Sequence, residues 1–447
     1  MNHGMDDALA TIYTAHVTIC KLRYDVALKD SNFDHALVFS GALHYQFVDD
    51  MPYPFKVNPQ FKAWAPVTDN PNCFIIYTPG MKPKLVYYQP VDYWHKVAGT
   101  PTDKWVEKFD IVMIANPDDA KQHIPRGRCA FLGEWDERFA SWGDLTPNPQ
   151  AVVNSLDYDR AHKTEYEVEC VRRANIRGAR GHVAAERAFR EGLSEYEIHL
   201  AYLAAADHVD EELPYGNIIA LNENGSTLHY YAHVRSRIDE SNLYSFLIDA
   251  GASYNGYGCD ITRTYARKPG EFQELIDAMD AMQLELVDAC KPNTNYIDVH
   301  LLAHRRVAEI LVRFGFVREL DADGVLEKRI SSTFFPHGVG HYLGLQVHDV
   351  GAFMADRSGK TIPRPEGHPY LRLTRVVDPG HLFTIEPGLY FIDSLLGELK
   401  QSENSRYVDW SRVDSFRKYG GIRIEDNIVV TEIGNENLTR YAFDHVS

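Results

Sequence analysis

Three apolar runs in this chain each carry a carboxylate where a β-strand would bury it, and nothing else in the sequence constrains the fold as strongly. Leu247-Ile-Asp249-Ala-Gly251, Phe383-Thr-Ile-Glu386-Pro-Gly388 and Ile422-Arg-Ile-Glu425-Asp426 read as strands from their apolar, β-type content. An ionised carboxylate is too costly to bury alone, so the fold must bring each one a cation or hydrogen bonds. Asp260 follows Asp249 by 11 positions, in Gly258-Cys-Asp260-Ile-Thr-Arg-Thr. Gly251, Gly256 and Gly258 suit a turn between an outgoing and a returning strand, which would bring both aspartates to one face. Either aspartate alone reads as a hydrogen-bonded turn residue. The pair points to a metal site.

Histidines complete the set. Phe335-Pro-His337-Gly-Val-Gly-His341 is followed by Gly344-Leu-Gln-Val-His348-Asp349. Imidazole is the commonest nitrogen ligand of a divalent metal, and glycine lets backbone come close. Two aspartates, one histidine and two glutamates make a hard, oxygen-rich donor set. It suits a pair of octahedral or five-coordinate ions such as Mn²⁺ or Co²⁺ better than a tetrahedral structural Zn²⁺.

The rest of the chain reads as a frame for this chemistry. Its 447 residues imply two domains. The balance of 46 Lys and Arg against 63 Asp and Glu gives a formal charge of −17, which repels phosphate backbones and anionic lipid. No nucleic-acid or membrane partner is therefore expected. Cys20, Cys73, Cys129, Cys170, Cys259 and Cys290 are scattered and form no C-x-x-C pair, as in a reduced cytoplasmic protein. Met1 to Asp7 is polar with no apolar run after it, so no leader or membrane span is expected.

A first helix is expected over Asp6 to Asp30, from the spacing of Leu9, Ile12, Tyr13, Val17 and Cys20. The β-rich runs Ala36-Leu-Val-Phe, Cys73-Phe-Ile-Ile-Tyr, Leu85-Val-Tyr-Tyr, Ile111-Val-Met-Ile and Cys129-Ala-Phe-Leu then suggest an α/β layer, and Leu145-Thr-Pro-Asn-Pro reads as a loop. The domain boundary is placed near Asp159, giving domains 1–159 and 160–447. In the second, Ser194-Glu-Tyr-Glu197 is a capping box. Helices over Phe272–Cys290 and Ile297–Phe314 flank strand runs at Asn217–Leu221, Ser245–Ala250, His381–Ile385 and Ile422–Val430. That domain reads as α+β with antiparallel strands.

These motifs, in this order, resemble the pita-bread metallopeptidases, the group of methionine aminopeptidase, aminopeptidase P and prolidase. The stretches Tyr53-Pro-Phe-Lys-Val-Asn-Pro-Gln-Phe-Lys-Ala-Trp64, Pro90-Val-Asp-Tyr-Trp-His95, Asn217-Ile-Ile-Ala-Leu-Asn-Glu223 and Gly420-Gly-Ile-Arg-Ile-Glu-Asp-Asn427 are similar to bacterial proline dipeptidases and the related organophosphorus acid anhydrolases. Met1 to Gly4 is the one obvious departure. The resemblance implies a pita-bread catalytic domain behind a smaller α/β domain that serves dimerisation and substrate access. It implies a cytoplasmic, homodimeric Xaa-Pro dipeptidase with two Mn²⁺ per subunit, Co²⁺ and Zn²⁺ being the alternatives.

Carried over by motif position, the metal ligands are Asp249, Asp260, His341, Glu386 and Glu425, with Asp260 and Glu425 bridging. A hydroxide shared by the ions would attack the scissile carbonyl, and Glu386 would act as general base or proton shuttle. His348 and His337 would contact substrate and stabilise the tetrahedral intermediate. His229, Tyr215, Leu228 and Val347 would line the pocket. Arg372 and Arg423 match positions that bind the substrate carboxylate, although Arg423 reads equally well as a group that orients a ligand. Asp50 matches a residue donated to the neighbouring subunit's site. A dedicated organophosphorus acid anhydrolase and an aminopeptidase P-like exopeptidase are the competing enzymes. A non-catalytic relative is disfavoured because all five ligands are present.

Overall fold

The computed structural model describes residues 4–446, so Met1 to His3 of the expected N-terminal departure lie outside the described residues. The chain divides into two compact units. The first comprises residues 1–170 with 254–257 and 354–361, the second 171–253, 258–353 and 362–447.

In the first unit, helix Asp7–Asp30 is capped by Asp6, whose side chain accepts from the Leu9 amide. Leu9, Tyr13, Val17, Cys20, Tyr24 and Leu28 are buried at the helical spacing expected, while Ile12 is half-buried. The sheet contains β1 (His35–Phe39), β2 (Phe74–Tyr77), β3 (Lys84–Tyr88), β4 (Asp110–Ile114), β5 (Cys129–Leu132) and β6 (Leu145–Pro147). Their order is β4-β3-β2-β1-β5-β6. The sheet is mixed: β1 pairs antiparallel with β2 and parallel with β5. Leu37, Phe39, Phe74, Val86, Phe131 and Phe139 form its core.

One expectation fails here. Leu145-Thr-Pro is not a loop but a short edge strand beside β5, with Cys129 opposite Leu145. Proline is tolerated at a sheet edge because its missing N–H faces no partner strand. Asn148 ends the strand in a left-handed conformation and exchanges two hydrogen bonds with Gly133.

The second unit is α+β, and the strand pairings among its three principal sheets are antiparallel. Strand Ser245–Asp249 lies between Ile218–Leu221 and Thr262–Ala266. Strand Asp426–Val430 lies between Leu382–Ile385 and Asn435–Asn437, and Gly388–Tyr390 pairs with Gly421–Arg423. Helices Glu271–Ala289 and Tyr296–Arg313 form where expected, and the Ser194 capping box is complete.

The expected single strand Ile422–Val430 is broken in two. Gly421–Arg423 pairs with one partner and Asp426–Val430 with another, and Ile424 and Glu425 stand between them. The facing strand breaks at Glu386-Pro387, where proline offers no N–H to continue a ladder. Both glutamates singled out in the sequence therefore stand at a shared interruption of pairing. Backbone pairing resumes across it, with the Glu425 amide bonded to the Thr262 carbonyl at 3.0 Å.

Candidate active site

Antiparallel pairing places Asp249 opposite Thr262, with Asp260 two residues before it. The expected hairpin thus brings both aspartates to one end of the sheet. Asp260, His341 and Glu425 are buried and offer ligand atoms that all lie within 4.8 Å of one another. His341 Nε2 stands 3.4 Å from Asp260 and 3.5 Å from Glu386. Its Nδ1 donates to the Tyr342 carbonyl at 3.0 Å, which turns Nε2 toward the carboxylates. Against burial, Asp260 and Glu386 raise the ring's pKa, and an ion entering there would take the place of the Nε2 proton. Two donors on one ion at about 2.0–2.2 Å sit about 3 Å apart, close to this spacing.

The electrostatics favour cations here. Burial raises Asp249 above the ordinary carboxylate range, against the pull of Arg423. Glu425 is pushed well above its usual value by burial and then by Asp260, Glu386 and Asp249. Glu386 rises to about 7 for the same reasons, although His341 draws it down. Burial also acts to raise Asp260, but His341, Tyr215 and His348 together leave that group below its usual value. Four carboxylates face one buried guanidinium, a formal excess of three negative charges. Asp249 Oδ1 is buried with no hydrogen-bond partner. Such an orphaned oxygen in a hard, anionic pocket fits divalent ions.

A lattice of hydrogen bonds holds the donors. Thr262 Oγ1 donates to Glu425 at 2.7 Å and accepts from Arg423 Nε at 3.1 Å. Arg423 Nη2 donates to Asp249 Oδ2 at 2.7 Å, and Nη1 to the Tyr390 hydroxyl at 2.9 Å. Tyr390 in turn donates to His337 Nε2 at 2.8 Å, and His337 Nδ1 donates to the Gly338 carbonyl at 2.8 Å. Asn427 pins Asp260 by its backbone, accepting from the amide and donating to the carbonyl. The Tyr215 hydroxyl donates to Asp260 Oδ1. Gly340 is required by close approach: a Cβ there would lie 2.0 Å from the Thr384 carbonyl oxygen.

Sequence reasoning missed Thr262, Thr384, Tyr390 and Asn427. Thr262, Thr384 and Asn427 carried one signal, a polar side chain two residues from a singled-out carboxylate in an apolar strand. The Thr384 hydroxyl accepts from the His341 amide at 3.1 Å. Tyr390 carried none.

The remaining candidates sit differently. His348 is exposed, and its ring packs edge-on against His341 with centroids 4.3 Å apart. His229 and Arg372 are exposed, and Leu228, Val347 and Tyr215 are half-buried. Arg372 and His229 each act electrostatically on both His337 and His348, which locates them near those rings. Burial lowers His337 to about 3, with Arg423 and Arg372 adding to the effect, so its ring is neutral at pH 7. Arg423 is 5% exposed and commits all three guanidinium nitrogens inside the protein. Asp50 belongs to the first unit, exposed, with its amide donating to Asp49 Oδ1.

Residues 169–432 match the model of metallopeptidase family M24. Residues 11–158 match that of the Xaa-Pro dipeptidase N-terminal domain. The chain belongs to metallopeptidase family M24. It is 50% identical over 437 residues to the Xaa-Pro dipeptidase of Pseudoalteromonas translucida, covering 97% of this chain and 99% of that relative. The Xaa-Pro dipeptidase of Shewanella oneidensis is 48% identical over 436 residues, with 97% and 99% covered. Among solved structures, the Pseudomonas aeruginosa aminopeptidase PepP superposes with a TM-score of 0.72 at 22% identity, covering 96% of this chain and 98% of that one. Aminopeptidase P from E. coli with the inhibitor Pro-Leu gives 0.71 at 23%, covering 97% and 95%. At that identity the structures speak for the fold, the pita-bread architecture expected from the motifs. Membership of M24 implies a divalent metal cofactor, and no helix among the described residues is long and apolar enough to cross a membrane.

Proposed function

We propose that this M24 chain hydrolyses dipeptides with a C-terminal proline, with Asp249, Asp260, His341, Glu386 and Glu425 holding two Mn²⁺ ions. The observation that carries the reading is the convergence of Asp260, Glu386 and Glu425 on His341, with Asp249 Oδ1 buried and unpartnered. Bound divalent ions supply an activated water and polarise the scissile carbonyl. The chain's own residues do the rest. Glu386, its carboxylate beside His341 Nε2, stands where it can take a proton from the attacking water and return it to the leaving nitrogen. His348 faces solvent with its ring against His341, where it can donate to the developing oxyanion. His337 has both nitrogens engaged and acts by holding the Tyr390–Arg423 lattice in register as well as by shaping the pocket.

Of the two arginines, exposed Arg372 is the one to grip the substrate carboxylate, since Arg423 is spent on Asp249, Thr262 and Tyr390. His229, Tyr215, Leu228 and Val347 line the pocket. A second copy of the chain belongs to the working enzyme, with the first unit contributing to dimerisation and substrate access. Asp50 sits beside Phe47, Val48 and Met51, of which the first two are 95% and 89% exposed, a patch that a partner would cover. Six buried free cysteines agree with a cytoplasmic setting. Slow hydrolysis of organophosphorus triesters follows from the same site, because a tetrahedral phosphorus resembles the tetrahedral intermediate of amide cleavage.

One panel tests the reading: turnover of Gly-Pro, a longer Xaa-Pro peptide and a p-nitrophenyl phosphotriester by the Mn²⁺-loaded enzyme. Gly-Pro should be cleaved fastest and the phosphotriester slowest. Equal cleavage of the longer peptide would replace the dipeptidase by an aminopeptidase, and preferred phosphotriester cleavage would replace it by an organophosphorus hydrolase.

A further inference from the structure

The second unit contains another cluster of histidines that the carboxylate site does not use. His300 and His304 stand one turn apart on helix Tyr296–Arg313, so their rings leave the same face. His368 approaches from the irregular segment that leads to Arg372. The three ring centroids form a near-equilateral triangle, 4.8, 4.7 and 4.6 Å on its sides. One nitrogen from each ring lies within 4.8 Å of the other two. His300 Nε2 and His368 Nδ1 are 2.9 Å apart. A tetrahedral ion bound at about 2.0–2.1 Å would hold its nitrogens about 3.3 Å apart, so adjustments of a few tenths of an ångström to about 1.5 Å would seat one.

Two further observations separate this from a packed group of core histidines. His304 Nδ1 bonds to Ser331 Oγ at 3.2 Å, which orients the ring and leaves Nε2 available as a ligand. His300 and His304 are 1% and 3% exposed, so two of the three rings are already out of water. A hydrogen bond between His300 Nε2 and His368 Nδ1 would account for that pair but not for the third ring. A cavity of about 380 Å³, lined in part by His304, His368, Arg329 and Glu366, gives an ion a path to the cluster.

We propose that His300, His304 and His368 form a second, single-ion site for a nitrogen-preferring divalent cation of the Zn²⁺ class, its fourth position taken by water from the cavity. With no carboxylate in the triad, the site selects against Mn²⁺ and differs in kind from the Asp249–Glu425 centre. The ligands are ready to bind. Burial, helped by the neighbouring rings, holds His300 at about 2 and His304 at about 3, so no proton competes at neutral pH. The ion would staple helix Tyr296–Arg313 to the segment that carries Arg372.

The test is metal content and thermal stability of the full-length, Mn²⁺-loaded protein dialysed against micromolar Zn²⁺. Wild type should carry one more metal equivalent per chain than His304→Gln or His368→Ala, and Zn²⁺ should raise its Tm while leaving theirs unchanged. His368 is only partly buried, so His368→Ala carries the test if the buried His304 variant does not fold. The same total metal in wild type and His368→Ala, or the same Tm response to Zn²⁺, would overturn the site. Since the carboxylate centre is untouched in both variants, failure here leaves the dipeptidase reading standing.

Discussion

The carboxylate centre and the three-histidine cluster lie in the same unit, and both are largely buried, yet they answer burial in opposite ways. In the first, burial pushes Asp249, Glu386 and Glu425 upward while Asp260 is held below its usual value, so the pocket keeps anionic oxygen that cations would satisfy. In the second, burial drives the imidazoles neutral, and the triad itself carries no charge to be met. Buried acids and buried bases both move toward their neutral forms, but a crowd of acids cannot all do so at pH 7 while a crowd of imidazoles can. The contrast makes metal obligatory at one site and optional at the other.

The comparison breaks most easily at the carboxylates. Asp260→Asn and Glu425→Gln should each lose bound Mn²⁺ and at least about 10³-fold in kcat/KM, because a metal contributes several kcal/mol to the transition state. Metal analysis beside Gly-Pro kinetics checks this, and full metal with full activity in either variant would remove both residues from the ligand set. Next in size, His348→Ala should keep its metals and lose about 10²–10³ in kcat, the usual cost of one oxyanion donor. Metal lost in proportion to rate would make His348 a ligand instead.

Much of this was legible in the sequence, for a physical reason. A carboxylate inside an apolar strand is so costly that it announces its own purpose, and Asp249, Asp260, Glu386 and Glu425 all stood out in that way. The histidine run did so through its glycines: Gly340 leaves no room for a side chain against Thr384. The first unit's strands were legible because buried β-runs are short, apolar and bounded by turn residues. What stayed hidden was pairing. Nothing in Ile422–Val430 said that the strand would change partners at Glu425, since that depends on Pro387 across the sheet. Nor could His300 and His304 be joined to His368, more than 60 positions away, from spacing alone.

The two arginines sharpen the contrast between buried and exposed charge. Arg423→Ala should strip Asp249 of its partner and destabilise the protein by about 3–5 kcal/mol, the usual result of breaking a buried pair. Arg372→Ala should leave Tm nearly unchanged and raise KM for Gly-Pro by about 10–100-fold, the range of one charge-assisted contact. It should also narrow the gap between Xaa-Pro and Xaa-Pro-amide. Denaturation and kinetics on the two variants separate the roles, and a KM effect confined to Arg423→Ala would reverse the assignment.

The smallest effect to look for is the shape of stability against pH in the metal-free protein. Glu386 is raised from an ordinary value near 4.5 to about 7, so between these the folded state binds the extra proton and stability falls as pH rises. His300, His304, His337 and His182 are all lowered, to between about 2 and about 3, chiefly by burial. Here the unfolded state binds the extra proton once pH drops below about 6.5, and stability falls as pH falls. Four lowered histidines outweigh the one raised glutamate, so the metal-free protein should gain stability from about pH 4.5 up to about 7, with Glu386 only blunting the rise. Each such group contributes a slope of at most about 1.4 kcal/mol per pH unit, about one to two degrees in Tm for a chain of this length. Mn²⁺ should steepen the rise, because cations favour the ionised carboxylates and cancel the opposing slope of Glu386. His304→Gln should soften the rise by one proton. Thermal scans from pH 4.5 to 8.5, with and without Mn²⁺, read both effects. A pH profile untouched by Mn²⁺ would mean that the ions do not enter where Glu386 stands.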